Sequence, residues 1–356
     1  MSVLSDFKCN TMMCFKDCIR CFSEKYCLCK QICKKTYVWL QMFNEPPLKY
    51  LPPFFKVLAL FSLMVLSMQI MFFAGAFIGH QFLGVENTET FMKDIAEQAK
   101  NPMAALVLQG LGSGFGGFLL PALMFSVLVS GGIGDYLTLN VKPTPKHILL
   151  AIGITLSAGI FVSLLVDWNN LIQLPESLKV LTEMQKKYET LIEAFFTDVN
   201  FPRFVLLTIV LAVLPAIGEE LFFRGLVQKI LSQTILGNHG AILVTAIAFA
   251  VMHFEFFNLF AILWMGITLG YLYFYSQSIW VSITAHFLNN FLQVLLKYLF
   301  AAGIIKTDVT TAESLPIYTT LSAGLVMFGL LWLLKQNQVM PKPEPVLTET
   351  QTTKHE

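Results

Sequence analysis

The chain has 356 residues, of which 55% are apolar and only 13% charged, and its formal net charge is +1. That balance excludes a basic nucleic-acid-binding surface and a long acidic solvated segment. Val57 to Gly79, Ile148 to Val166 and Ser314 to Leu334 contain no charged residue, and each run is close to the ~20 residues a helix needs to cross a ~30 Å hydrocarbon core.

The runs lack the apolar/polar alternation of a membrane barrel, and only helices or closed barrels satisfy their backbone in lipid. The predicted fold class is therefore all-α, a polytopic membrane helical bundle of about eight transmembrane helices. In chain order, residues 1–56 form an N-terminal segment holding all seven cysteines: Cys9, Cys14, Cys18, Cys21, Cys27, Cys29 and Cys33. Cys18 with Cys21, and Cys29 with Cys33, have zinc-ligand spacing. Composition changes abruptly near Met42, however, so a natural start there, with residues 1–41 misassigned, is the favoured expectation. The first apolar run exceeds the apolar stretch of a signal peptide and reads as an anchor.

Spans are expected near 57–79, 103–130, 147–167, 202–218, 240–254, 257–275, 279–300 and 315–334. Ser276-Gln277-Ser278 divides a stretch too long for one crossing, and the fourth and fifth spans are short enough to imply tilting or burial. Gly112-Ser-Gly114-Phe-Gly116-Gly117 matches a dinucleotide fingerprint but lies in an apolar run with no preceding strand, so close helix packing is the expected role. Between the third and fourth spans, Leu178, Leu181, Met184, Tyr188, Leu191 and Phe195 recur at helical spacing after Pro175, which predicts an amphipathic interfacial helix. Glu86 to Lys100 is a weaker case of the same pattern. Residues 57–200 thus group as N-terminal spans plus this helix, 201–300 as a core, 301–335 as the last span and 336–356 as a disordered tail. Eight crossings place both termini on one side. Lys49, Lys56, Lys142, Lys146, Lys335 and Lys342 predict that this side is the cytoplasm, in a bacterial inner membrane.

Ionisable residues inside apolar helices are costly and mark function. Glu219, Glu220 and Arg224 interrupt the apolar stretch Leu211 to Val227. Glu220 and Arg224, four apart, share a face and pair. Glu219, turned by about 100°, can point elsewhere. His253 ends the fifth span, and His286 and Asn290 share one face of the seventh. A carboxylate in an apolar pocket can act as general base on water, with a histidine orienting it and a histidine–amide pair stabilising an oxyanion. Alternatively, Glu219, His253 and His286 could hold Zn²⁺ with one position open to water. HExxH is absent. Taken singly, each group also has a plain structural explanation: ion pairing, interfacial placement or interhelical bonding. Glu255 reads as interfacial, and His80, His147, His239 and His355 are assigned no role.

Glu219-Glu220-x-x-x-Arg224, Phe249-x-x-x-His253 and His286-x-x-x-Asn290, in this order on separate apolar helices, resemble the CPBP family. That group of intramembrane proteases includes the type II CAAX prenyl endopeptidases. The resemblance covers roughly Phe201 to Phe300. It implies that Glu219 acts on water with His253, that Glu220 supports the site with Arg224 as structural partner, and that His286 and Asn290 stabilise the oxyanion. The family has been described both as metalloproteases and as metal-independent glutamate proteases, and the residues favour the second description, with no cofactor required. The expected partners are a membrane-associated peptide or protein substrate and the lipid bilayer, with no nucleic acid. A non-catalytic immunity factor or scaffold is the competing expectation. A transporter, which predicts repeated halves with broken helices, fits less well.

Overall fold

The computed structural model describes residues 45–172, 175–176, 179–308 and 315–339, and all regular secondary structure among them is helical. The seven cysteines, Leu178, His355 and residues 340–356 lie outside the described residues. The helices are α1 (Pro53–Phe82), α2 (Thr88–Lys93), α3 (Ile95–Lys100), α4 (Pro102–Ser130), α5 (Pro145–Asn170), α6 (Lys179–Phe195), α7 (Phe201–Ser232), α8 (Gly237–Met252), α9 (Leu259–Ser276), α10 (Ile279–Ala301) and α11 (Ile317–Gln336). Among the described residues seven helices are long and apolar enough to cross a membrane; α8, with 16 residues, is shorter. Residues 45–50 and 128–131 form a small unit of their own, in which the Leu48 N–H donates to the Leu128 carbonyl at 2.9 Å.

Three helix starts follow one device. Asn101, Thr144 and Asn200 each accept from the backbone N–H three residues on, and a proline lies in the first turn that follows. The side-chain oxygen satisfies an orphan donor, and proline occupies a position whose N–H is not needed. The break at residues 276–278 occurs as expected. Gln277 ends α9 in the left-handed region at φ 54°. The segment 86–100 forms two short helices, divided at Asp94, whose carboxylate caps the second.

The end of the fourth span and the start of the tail require correction. The fourth span does not stop at residue 218; α7 runs 32 residues to Ser232. It continues because Glu219, Glu220 and Arg224 are accommodated by the surrounding helices, so polar residues need not end it. The predicted tail does not begin at 336 either. Asn337 Oδ1 accepts from Lys146 Nζ at 2.6 Å, its carbonyl faces His147 Nε2 at 3.0 Å, and the Val339 N–H donates to the Tyr275 carbonyl. His147 thus acquires a structural role, as do His80 on the Val85 carbonyl and His239 on the Tyr271 hydroxyl.

The glycines of α4 serve packing. Gly112 lies against the Phe72 ring, and a Cβ at Gly114 or Gly116 would come within 2.6 Å of Leu214 or Met71. A Cβ at Gly218 would lie 3.1 Å from the Gly114 carbonyl oxygen, so α4 and α7 touch backbone to backbone one residue before Glu219. Such proximity is how membrane helices gain dispersion contact without a hydrophobic drive.

α6 buries Leu191 and Phe195 in a cluster with Val85, Phe91, Leu207 and Val294. Met184, expected on the buried face, is exposed; Tyr188 is half-buried. Leu58, Leu66, Ile70, Phe73 and Phe77 line the outward face of α1, as a lipid-facing helix requires.

Candidate active site

α7, α8 and α10 bring five of the six sequence-predicted residues into one connected group. Glu220 and Arg224 are wholly buried. Arg224 Nη1 donates to Glu220 Oε1 at 2.8 Å, and Nη2 donates to the Gly266 carbonyl at 3.0 Å. The guanidinium carbon lies 4.7 Å from the centre of the Phe249 ring, within cation–π range. Glu220 Oε1 also accepts from His286 Nδ1 at 2.9 Å. One carboxylate oxygen therefore joins α7 to α10, while the arginine joins α7 to α9.

Glu219 points elsewhere, as its rotation from Glu220 predicts. Its Oε2 is buried without a hydrogen-bond partner, 3.9 Å from both His253 Nε2 and His286 Nε2. The histidine tautomers follow from the other ring atoms. His253 Nδ1 lies 2.7 Å from the Phe249 carbonyl and His286 Nδ1 faces the Glu220 carboxylate. Both partners only accept, so each Nδ1 carries the proton and each Nε2 is turned toward Glu219. Side-chain exposure rises outward from 0% at Glu220 and Arg224, through 4% at His286 and 11% at Glu219, to 28% at His253. The group is sealed at one side and open at the other.

Asn290 lies one turn beyond His286, and its Oδ1 accepts from Asn289 Nδ2 at 3.1 Å. This leaves the Asn290 amide N–H groups available as donors. The structure gives Asn290 no bond to Glu219 or His253. Glu255 follows the site loop, half-buried, and accepts from Asn258 Nδ2 at 3.0 Å.

Three contributors were given no role in the site from sequence, although Phe249 stands in the Phe249-x-x-x-His253 motif and Tyr188 in the amphipathic pattern of α6. Phe249 meets Arg224, His253 and His286 with its ring and fixes His253 with its carbonyl. Gly266 offers the arginine its carbonyl and lets α9 approach α8, since a Cβ there would lie 3.0 Å from that of Ala246. Its signal was the Gly266-x3-Gly270 spacing. Tyr188 of α6 lies in the field of the site: burial, then the charges of Glu255 and Glu219, push its hydroxyl up to about 12. It stays a neutral phenol through the physiological range.

Among the described residues no three His, Cys, Asp or Glu side chains gather as a metal-ligand set. Glu219 Oε2 lies 3.9 Å from Nε2 of each histidine, wider than the about 3.3 Å between neighbouring ligands of a tetrahedral zinc.

No curated protein and no solved structure matches the chain significantly. The family model described as "Type II CAAX prenyl endopeptidase Rce1-like" matches residues 201–292, a stretch that includes all six predicted site residues. With seven apolar helices of spanning length among the described residues, the protein is an integral multi-pass membrane protein whose residues 201–292 are similar to the type II CAAX prenyl endopeptidase family.

Proposed function

We propose that the protein is an intramembrane endopeptidase in which Glu219, with His253, activates water to attack a peptide carbonyl of a membrane-associated substrate. One observation carries this reading: a buried, unpartnered carboxylate oxygen facing two imidazole nitrogens at 3.9 Å. A water at hydrogen-bond distance, about 2.8 Å, from both Glu219 and His253 fits that separation. Glu219 takes the proton as water attacks, and the same proton then passes to the leaving amine.

His286 and Asn290 supply the donors for the oxyanion in this reading. For His286 this requires a proton on Nε2 as well as Nδ1. That proton makes the buried set neutral overall, with Glu219 and Glu220 balanced by Arg224 and His286, which avoids burying net charge. Glu220 and Arg224 hold the ring in place and do not touch substrate. We favour glutamate–water chemistry over a metal on these grounds. We further place both termini on the cytoplasmic face of a bacterial inner membrane, on the lysine distribution alone. An impermeant thiol reagent applied to intact cells carrying Asn337→Cys tests this, and labelling from outside would reverse it.

The deciding experiment compares membrane-associated peptide termini in cells carrying the native protein or Glu219→Gln at matched abundance. New termini present only with the native protein support proteolysis and identify the substrate. Identical profiles from two folded proteins would favour a non-catalytic scaffold instead.

A further inference from the structure

Asn169 lies in the last turn of α5, outside residues 201–292, and its side chain is buried at 1% exposure. A primary amide in such a place is costly unless both ends are paired, and here both are. Its Nδ2 donates to the Phe256 carbonyl at 2.8 Å, and its Oδ1 accepts from the Phe260 N–H at 3.2 Å. These two backbone groups lie within the 254–260 turn that follows His253. Within it Phe254 sits at φ 54°, a left-handed conformation that a bulky residue adopts only when its surroundings impose it. The turn continues through the single 3-10 turn Phe256–Asn258 into α9.

The start of α9 has no side-chain cap of its own, for Asn258 at the cap position bonds Glu255 and not the helix backbone. Asn169 takes over that function from a different helix by accepting from Phe260 in the first turn. The same α9 carries Gly266, whose carbonyl receives Arg224. One amide thus fastens the segment between the imidazole of His253 and the helix that holds Arg224.

We propose that Asn169 is a positioning residue for the active site: it clamps the 254–260 turn and thereby sets where His253 stands relative to Glu219. The claim about catalysis rests on the proteolytic reading above; the clamp itself does not. Asn169 touches neither Glu219 nor either imidazole in the structure, so its effect passes through the backbone of the turn.

The test uses purified full-length native protein, Asn169→Ala and Asn169→Asp in bilayer discs, with a peptide found by the termini comparison as substrate. Backbone hydrogen exchange of 254–260 is read alongside kcat and KM. Asn169→Ala is expected to lose protection in 254–260 while the other helices keep theirs. Its kcat should fall 10- to 100-fold with KM changed less than threefold. Asn169→Asp keeps the acceptor for Phe260 but loses the donor to Phe256, so it should recover part of kcat. It also serves if the alanine variant fails to fold. Protection of 254–260 and kcat both within twofold of native in the folded variants would overturn the proposal. So would protection lost evenly over the whole protein, or a lowered kcat that Asn169→Asp does not raise. A native protein that cleaves no peptide would sink the proteolytic reading, and with it the catalytic claim, while exchange at 254–260 would still decide the clamp.

Discussion

Arg224→Ala is the perturbation whose size the structure specifies most directly. The guanidinium neutralises Glu220 at 2.8 Å, satisfies the Gly266 carbonyl and covers the Phe249 ring. Removing one partner of a fully buried ion pair costs about 3–5 kcal/mol, mostly because the other charge is stranded. The orphaned carbonyl contributes about 1–3 kcal/mol, and the lost ring contact up to about 2 kcal/mol. These losses share one side chain and overlap, so an expected total of about 4–5 kcal/mol is more realistic than their sum. Equilibrium unfolding of purified protein in mixed micelles measures it. The companion variant Glu220→Gln/Arg224→Met removes both charges, and about half or more of the loss should return. An Arg224→Ala protein within about 1 kcal/mol of native, or a double variant no more stable than the single one, would refute the pairing argument.

The two histidines should separate by the same logic. His286→Ala removes a donor to Glu220 and should lower both unfolding stability and turnover, whereas His253→Ala, bonded only to the Phe249 carbonyl, should abolish turnover with stability within about 1 kcal/mol. Gly266→Val places a Cβ against the Ala246 backbone at 3.1 Å; thermal unfolding should report an overpacking cost of about 1–3 kcal/mol, and an unchanged midpoint would show that α8 and α9 part freely. Tyr188 has its pKa raised from 10.0 to about 12. Stability linked to the phenol is therefore full below pH 10 and lost as pH rises from 10 toward 12. Unfolding midpoints should fall over that window in native protein and fall less in Tyr188→Phe. Equal declines would place the phenol outside the site's field.

How far the site was legible depended on whether its parts are spaced along one helix. Glu220 with Arg224, the divergent Glu219, and His286 with Asn290 follow from helical periodicity, because one turn fixes which side chains share a face. The apolar runs betrayed their spans because lipid tolerates no unpaired charge. The end of α7 was misjudged for the same reason: Glu219 to Arg224 read as an edge, when the pairing that buries them comes from α9 and α10, over forty residues away. Phe249 and Gly266 act through a carbonyl and through the space they leave, properties that residue identity does not announce. Asn169 was invisible, since a single amide at a span end has no local partner, and its two bonds are made to a turn nearly ninety residues on.

The outward rise in exposure across the site has a consequence for water traffic. In the proposed reaction Glu219 passes the proton it takes from water to the leaving amine, so each turnover consumes one fresh water and leaves no proton behind. Behind Glu219 stand Glu220, Arg224 and His286, all packed away from solvent. His253 is the member of the group that borders both Glu219 and the outside. In the proposed reaction its imidazole is thus the valve of the chamber: reactant water enters past one ring, while the charges behind it stay insulated.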